Sequence, residues 1–219
     1  MRTIVVQKDI NRTDLVPFLN AAREREADLV CFGELATSGC LTKADEVPPL
    51  PDLLTLLQGY PFRILTGIPL ATPAGLYNTC LYCHGSDYRL YHKINLFPPF
   101  DEPDIFLPGR EVGIWDTDMG LIGVAICYDI RFDDIFRKMK SLGVEMIVIP
   151  AAFPRVRIAG WRDLLRKRAK EAEVPVIGIN AVGYDGRNEF GGCSAVVSSS
   201  GDVIVEADQI SETLLEVDL

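Results

Sequence analysis

The sequence has few basic residues, few histidines and no long apolar run, and these shortages exclude several classes of protein. Lysine and arginine number 22 against 31 aspartates and glutamates, which gives a formal net charge of −9. Binding to nucleic acid or to an anionic membrane surface requires a basic patch, so we expect neither partner. Apolar runs such as residues 121–127 are far shorter than the roughly 20 residues that span a bilayer, and no membrane segment is expected. Residues 1–14 do not resemble a signal peptide, so the expected location is the cytoplasm.

The hydrophobic pattern alternates between strand-like and helix-like segments along the whole chain. No linker, repeat or low-complexity segment divides the 219 residues. Strands are predicted at 3–7, 29–32, 62–68, 120–127, 145–149 and 174–182, and helices at 13–27, 51–58, 132–142 and 161–173. A hairpin at 77–93 and three short strands within 192–218 add antiparallel pairs, and a proline-rich loop is expected at 97–109. The sequence therefore predicts a single α/β domain covering residues 1–219.

Six cysteines without a secretion signal are expected to be reduced thiols. The stretch CLYCH at 80–84 has the spacing used for covalent haem attachment, and two cysteines with a histidine also suggest zinc. This stretch lies in the predicted hairpin, where Cys80 and Cys83 are three residues apart and point to opposite faces of the strand. No second cysteine–histidine pair completes a zinc site. We therefore expect neither haem nor metal here.

Three reactive side chains stand at or just beyond the ends of predicted strands. Glu34 follows the strand at 29–32, Lys93 follows the hairpin, and Cys127 closes the strand at 120–127. Open α/β sheets place their sites at such strand ends. A thiol, a carboxylate base and a cation together suit acyl transfer. Each residue alone also fits a structural role: a loop carboxylate, a solvated charge or a small buried side chain.

The residues around these three positions closely resemble the signature blocks of the nitrilase superfamily, the carbon–nitrogen hydrolases with a Glu-Lys-Cys triad. The blocks are FGEL at 32–35, YHKINLF at 91–97 and ICYDIRF at 126–132. Further blocks follow in order: Glu102 six residues before Pro108, PAAF at 150–153, RAKEA at 168–172, and GCS at 192–194. The resemblance runs from the first predicted strand to the last residue. The segment at 40–60 is shorter than in most members, and Asp133-Asp134 replaces a common Pro-Glu.

The resemblance implies a four-layer α-β-β-α sandwich and an amidase that needs no metal or organic cofactor. It assigns Cys127 as nucleophile, Glu34 as general base, and Lys93 with the Tyr128 backbone N–H as oxyanion donors. Glu102 is expected to orient Lys93. The candidates for substrate binding are Arg131, Phe153 and Arg155. Members of the superfamily associate through helices, so a homodimer or a larger homo-oligomer is expected.

Several functions remain open from the sequence. ICYDIRF and AVGYDG at 181–186 most resemble the ω-amidase branch, which hydrolyses the terminal amide of 2-oxo acid monoamides. An N-carbamoyl hydrolase or another small-amide amidase is the alternative, followed by a nitrilase or a non-catalytic member of the fold. A Cys–His dyad is a rival catalytic hypothesis, but His92 precedes Lys93 on a strand and so faces away from it.

Overall fold

The computed structural model describes residues 1–40 and 47–219, which contain two six-stranded β-sheets and a small hairpin. The first sheet is made of β1 (Arg2–Gln7), β2 (Leu29–Phe32), β3 (Arg63–Thr72), β4 (Gly75–His84), β5 (Asp87–His92) and β14 (Thr213–Asp218). The second is made of β6 (Gly113–Thr117), β7 (Gly120–Val124), β8 (Met146–Pro150), β9 (Val176–Ile179), β12 (Ala195–Val197) and β13 (Val203–Glu206). The hairpin pairs β10 (Val182–Tyr184) with β11 (Glu189–Gly191).

Each sheet has three adjacent parallel strands at its centre and antiparallel strands at its edges. The spatial orders are β14-β1-β2-β3-β4-β5 and β13-β12-β9-β8-β7-β6. Strands β1, β2 and β3 are parallel to one another, as are β7, β8 and β9. The prediction of βαβ units extended by antiparallel strands is confirmed. Active sites of such sheets form where parallel strands end, and here two sets of strand ends are available.

Helices cover the outer face of each sheet. The longer ones are α1 (Val16–Glu24), α2 (Leu50–Leu57), α4 (Asp133–Ser141) and α5 (Ile158–Ala172), and a single turn, α3, spans Glu102–Ile105. Helices α1 and α2 pack on the first sheet, whereas α4 and α5 share a core with residues of both sheets. The layers are therefore helix, sheet, sheet and helix, and the predicted four-layer sandwich is confirmed. Within the described part of the chain, no helix is both long and apolar enough to cross a membrane.

Alternation of side chains along the strands separates the two cores. In β1, Ile4 and Val6 face the helices while Val5 faces the other sheet. The same rule applies to the CLYCH stretch, which lies on β4. Cys80 packs between the sheets, and Cys83 packs under the helices. The expected opposite orientation of the two thiols is confirmed, and they cannot ligate one ion.

Some predicted boundaries are wrong, and the differences have local causes. The strand predicted at 120–127 ends at Val124, and the chain then turns at Cys127, where a 3₁₀ turn begins. The strand predicted at 174–182 is broken into β9 and β10 around Asn180, whose side chain binds neighbouring backbone groups. The loop expected at 97–109 contains the helical turn α3. In the segment at 40–60, residues 41–46 lie outside the described residues.

Candidate active site

The loop after β2 carries Glu34 across strand β3. It passes directly over Gly67, where the absence of a side chain leaves room for it. Gly67 lies on β3, and a Cβ atom there would approach the Glu34 Cα and the Gly33 carbonyl oxygen to 2.6 Å. The Gly67 N–H donates to the Gly33 carbonyl, and the Gly67 carbonyl accepts from the Ala36 N–H at 2.7 Å. Because the loop passes this closely, Glu34 is directed into the space at the strand ends. Its side chain is only 3 % exposed.

Three donors hold the Glu34 carboxylate. The Lys93 Nζ donates to Oε1 at 2.7 Å, and the Asn78 Nδ2 donates to the same oxygen at 2.8 Å. The backbone N–H of Ala152 donates to Oε2 at 2.9 Å. These contacts join groups from both sheets. They fix the position and orientation of the Glu34 carboxylate.

The ammonium group of Lys93 is fully buried between two carboxyl groups. Its Nζ lies 2.7 Å from Glu34 Oε1 and 2.8 Å from Glu102 Oε1. Burial alone would lower the pKa of Lys93, but the charges of Glu34 and Glu102 outweigh it and raise that pKa well above the usual value. Glu102 begins α3, and its Oε2 accepts from the Phe97 N–H at 2.7 Å. Lys93 is therefore a fixed cation.

Cys127 lies at a sharp turn rather than within a strand. Its φ is +46°, a left-handed conformation that few residues other than glycine adopt. A 3₁₀ turn, Cys127–Arg131, follows directly. Backbone strain of this kind costs roughly 1–3 kcal/mol and is concentrated at functional sites. The sequence analysis named Cys127 as the nucleophile, but the apolar run before it gave no sign of the turn.

Asp129 supports this turn and was missed as a site residue by the sequence analysis. Its fully buried carboxylate accepts from the Ile126 N–H at 3.1 Å and from the Tyr91 hydroxyl at 2.8 Å. It also accepts from the backbone and side-chain N–H groups of Asn95, at 2.8 and 2.9 Å. Asn95 is two residues after Lys93. The Asp129 carboxylate therefore fixes the turn at Cys127 relative to the segment around Lys93. The only clue to this role in the sequence was the position of Asp129, two residues after Cys127.

The electrostatic surroundings of Cys127 disfavour its thiolate form. Burial raises the pKa of Cys127 well above the usual value, and the nearby charge of Glu34 raises it further. The positive charge of Lys93 opposes this effect without cancelling it. The thiol interacts with both charged side chains, so the structure brings the three predicted residues together. Because the thiolate is the nucleophilic form, a base is needed to remove the proton.

A narrow cavity opens over Cys127, with a volume of about 10 Å³. Its walls include Phe97, Tyr128, Ala152 and Phe153. The rings of Phe97 and Tyr128 are in contact, with centroids 4.9 Å apart. Tyr128 and Phe153 thus lie where the sequence analysis expected them, beside the nucleophile.

The predicted substrate-binding arginines behave differently from each other. Arg131 lines the cavity, whereas Arg155 is not among its lining residues. The Arg155 guanidinium lies 3.1 Å from Glu189 Oε1 and donates to the Gln209 carbonyl at 3.1 Å. Two positions further on, Arg157 does line the cavity, and the sequence analysis missed it. The arginines at 155 and 157 indicated that a basic side chain could reach the cavity. Only the course of the 3₁₀ turn decides which of the two does so.

Neither histidine lies at Cys127. His92 contacts the Thr79 hydroxyl at 2.9 Å through Nδ1 and stacks on Tyr77, with ring centroids 4.3 Å apart. His84 lies 3.3 Å from Asp118. The expectation that His92 faces away from Lys93 is confirmed, which removes the Cys–His dyad. Among the described residues, no cluster of histidine, cysteine and carboxylate side chains is arranged to hold a metal ion.

Comparison with known proteins agrees with this geometry. The sequence profile of the carbon-nitrogen hydrolase family matches residues 6–219. The chain belongs to the carbon-nitrogen hydrolase family. Among related proteins, the 2-oxoglutaramate amidase of Paenarthrobacter nicotinovorans is 32% identical over 148 residues, covering 64% of this chain and 50% of the relative. The omega-amidase NIT2-B of Xenopus laevis is 33% identical over 236 aligned positions, covering 97% of this chain and 83% of the relative.

Solved structures of carbon-nitrogen hydrolases share the fold. The protein XC1258 from Xanthomonas campestris superposes with a TM-score of 0.87 at 24% identity, over 99% of this chain and 89% of the other. An amidase from Nesterenkonia sp. superposes with a TM-score of 0.85 at 24% identity, over 100% of this chain and 90% of the other. The resemblance to the nitrilase superfamily is thus confirmed. With the first bacterial relatives the match spans only about half of the relative's length.

Proposed function

We propose that the protein is an amidase of the ω-amidase type, which hydrolyses the terminal amide of a small carboxylate-bearing amide and releases ammonia. The observation that carries this proposal is the buried Lys93 ammonium, held between Glu34 and Glu102 beside the Cys127 thiol. A thiol, a base and a fixed cation are the groups that acyl transfer from an amide requires. Relatives named 2-oxoglutaramate amidase and omega-amidase support the same reaction.

In the acylation step, the Cys127 sulfur attacks the amide carbon while Glu34 accepts the thiol proton. The Lys93 ammonium and the backbone N–H of Tyr128 bind the oxyanion of the tetrahedral intermediate. In acyl-transfer enzymes one such donor contributes about 2.7–4 kcal/mol to lowering the barrier. Glu34 then gives its proton to the nitrogen, the C–N bond breaks, and ammonia leaves a thioester on Cys127.

In the hydrolysis step, water attacks the thioester carbon and Glu34 accepts a proton from that water. The second tetrahedral intermediate uses the same two oxyanion donors. When it collapses, the C–S bond breaks, the sulfur regains the proton from Glu34, and the carboxylic acid leaves. Glu102 acts through Lys93 by fixing the position of its ammonium group. The cycle consumes one water and needs no redox partner.

Ammonia release from a panel of small amides tests this proposal. The panel contains 2-oxoglutaramate, succinamate, butyramide and an N-carbamoyl amino acid, with the Cys127→Ala protein as control. We expect the highest kcat/KM with 2-oxoglutaramate and no release by the variant. Preference for the N-carbamoyl compound would favour the alternative hydrolase, and no release from any compound would overturn the proposal.

A non-catalytic role is disfavoured because buried charges without a function are costly to keep.

We also propose that the protein is a cytoplasmic homodimer or larger homo-oligomer. Six free cysteines support a reducing compartment. Apolar side chains exposed at the two ends of α4, Phe132 and Leu142, support association near this helix. Light scattering after size-exclusion chromatography tests the assembly, and a mass of 24.2 kDa at micromolar concentration would contradict it.

A further inference from the structure

Asn78, on β4, contacts two of the site residues from a strand that carries neither of them. Its side chain is fully buried, and its Nδ2 donates to Glu34 Oε1 at 2.8 Å. Its backbone carbonyl accepts from the Lys93 N–H, also at 2.8 Å. Glu34 belongs to the loop after β2, and Lys93 follows β5. One residue between these segments therefore holds the carboxylate of the first and the backbone of the second.

The other half of the Asn78 amide is unpaired within the described part of the chain. Its Oδ1 is buried and has no hydrogen-bond partner among residues 1–40 and 47–219. An unpaired buried carbonyl oxygen is costly, and an apolar side chain of the same size would avoid that cost. The contact with Glu34 is therefore the interaction for which an amide is needed at this position.

The two oxygens of the Glu34 carboxylate have different surroundings. Oε1 accepts from two side chains, Asn78 at 2.8 Å and Lys93 at 2.7 Å. Oε2 accepts from the backbone N–H of Ala152 at 2.9 Å. The same Ala152 N–H also interacts with Cys127: burial raises the pKa of that thiol, and the hydrogen bond from Ala152 acts in the opposite direction. Oε2 therefore lies on the thiol side of the carboxylate, and Oε1 on the lysine side.

We propose that Asn78 is a positioning residue that, together with Lys93, holds Oε1 of Glu34, so that Oε2 is the oxygen that takes the proton of Cys127. The inference rests on the amidase function proposed above and adds the residue that orients its base. Each carboxylate oxygen has about two acceptor sites, so Oε1 is filled by its two donors whereas Oε2 keeps one site open. In the transfer, the S–H bond breaks, its electron pair stays on sulfur, and an O–H bond forms at Oε2. Asn78 acts through Glu34 and does not touch the substrate.

The kinetic test replaces the amide by an apolar group of nearly the same shape, in Asn78→Leu. Thr79→Val is the matched control, because Thr79 is the next residue of β4, is equally buried and points to the opposite face. With succinamate as substrate, we expect Asn78→Leu to lower kcat about 10–100-fold, since a misplaced catalytic group costs about that much. KM should change by less than about twofold. Asn78→Ala, which cannot overfill the site, should show the same pattern, and Thr79→Val should retain wild-type kcat.

A double-mutant cycle tests whether Asn78 acts through Glu34. In the Glu34→Gln protein there is no base to orient, so adding Asn78→Leu should lower the residual kcat by less than about twofold. If the two losses multiply instead, Asn78 acts independently of Glu34 and the inference is overturned. An unchanged kcat in both Asn78→Leu and Asn78→Ala would overturn it as well, while leaving the amidase function intact.

The pH dependence of Cys127 alkylation by iodoacetamide gives a readout that needs no amide substrate. Burial and the charge of Glu34 both raise the pKa of Cys127. If Asn78→Leu lets the carboxylate turn away from the thiol, the alkylation profile moves to lower pH, in the same direction as in Glu34→Gln but by less. Mass spectrometry of the peptide around Cys127 separates this thiol from the other five. Thr79→Val should leave the profile unchanged.

The alkylation experiment also separates this inference from the proposed reaction. A shifted profile in Asn78→Leu, with no ammonia released from any amide by the wild type, would support the role of Asn78 and contradict the amidase proposal. A profile identical to that of the wild type in both Asn78→Leu and Asn78→Ala would overturn the positioning role, whatever the activity of the wild type.

Discussion

The site has two charged regions, a buried floor formed by Glu34, Lys93 and Glu102 and an exposed mouth formed by Arg131 and Arg157. The two regions differ in how their charges are compensated. On the floor, Lys93 is fully buried and its ammonium contacts Glu34 and Glu102 at 2.7 and 2.8 Å. At the mouth, Arg131 and Arg157 are exposed and have no acidic partner among the described residues. The floor is already arranged for charge that develops during the reaction. The two regions therefore differ in burial and in whether their charges are paired within the described residues.

The two regions should also differ in what their mutation costs. Removing one member of a buried charge network leaves its partners uncompensated in a low-dielectric environment. Changing an exposed arginine alters binding but leaves no buried charge behind. Variants on the floor should therefore affect turnover most, and variants at the mouth should affect the choice between substrates.

Cys127→Ala is expected to have the largest effect, a complete loss of ammonia release. The change removes the nucleophile and only a single heavy atom, the sulfur, from the core, so the fold should persist. Circular dichroism checks the fold, and mass spectrometry after iodoacetamide treatment maps the reactive thiol among the six cysteines. Near wild-type turnover by this variant would refute the assignment of Cys127, as would inactivation linked to another cysteine.

Glu34→Gln should lower kcat by about 10²–10⁴-fold, because general acid–base catalysis typically contributes that much. The negative charge of Glu34 helps to raise the pKa of Cys127, so its removal lowers that pKa. The residual rate should then rise with pH as unassisted thiolate forms. A pH profile parallel to that of the wild type would exclude Glu34 as the base.

Lys93→Met should lower kcat by about 10²–10³-fold through loss of an oxyanion donor. Its pH response should differ from that of Glu34→Gln, because Lys93 lowers the pKa of Cys127 and its loss makes thiolate harder to form. Two buried carboxyl groups would also lose their cation, at a cost of about 3–5 kcal/mol in stability. Denaturant unfolding measures this cost, and recovery of activity at high pH would contradict the assigned role.

Glu102→Gln should give a smaller loss, about tenfold in kcat, because Glu102 acts by positioning Lys93. Burial raises the pKa of Glu102, although the charge of Lys93 opposes this shift. The glutamine can still accept one hydrogen bond from Lys93. A Glu102→Asp variant should be more impaired than Glu102→Gln if position matters more than charge, and the reverse order would assign Glu102 a charge role.

Arg131→Lys should give the smallest effect, a decrease of a few-fold in the kcat/KM ratio between a charged and a neutral amide. Lysine keeps the positive charge but cannot offer the planar pair of donors. Asp129, Asp133 and Asp134 lie close to Arg131 in the sequence, but no ion pair joins any of them to it, and Asp133 pairs with Arg168 instead. If both substrates are slowed alike, or if the protein is destabilised, Arg131 belongs to the structure of the turn.

Much of the fold was predictable because it depends on local patterns. Alternation along the strand at 80–84 was enough to place Cys80 and Cys83 on opposite faces. The same rule directed His92 away from Lys93. Strand ends could not be predicted as well, because the break at Asn180 depends on hydrogen bonds to residues distant along the chain.

The sequence by itself determined the family and named the candidate residues for its chemistry. Glu34, Lys93 and Cys127 each stand at or after an apolar run, and the blocks around them identify the family. Local patterns and residue types carry this information, because they describe strand ends and reactive groups without reference to distant contacts.

Only the tertiary structure decided how these residues cooperate. Asp129 joins the cysteine turn to the lysine segment, and Gly67 gives the Glu34 loop its path across β3. The choice of Arg157 over Arg155 as a cavity residue follows from the direction of a single 3₁₀ turn. Each of these facts depends on contacts between segments far apart in the chain, and spacing along the sequence does not encode which segments meet.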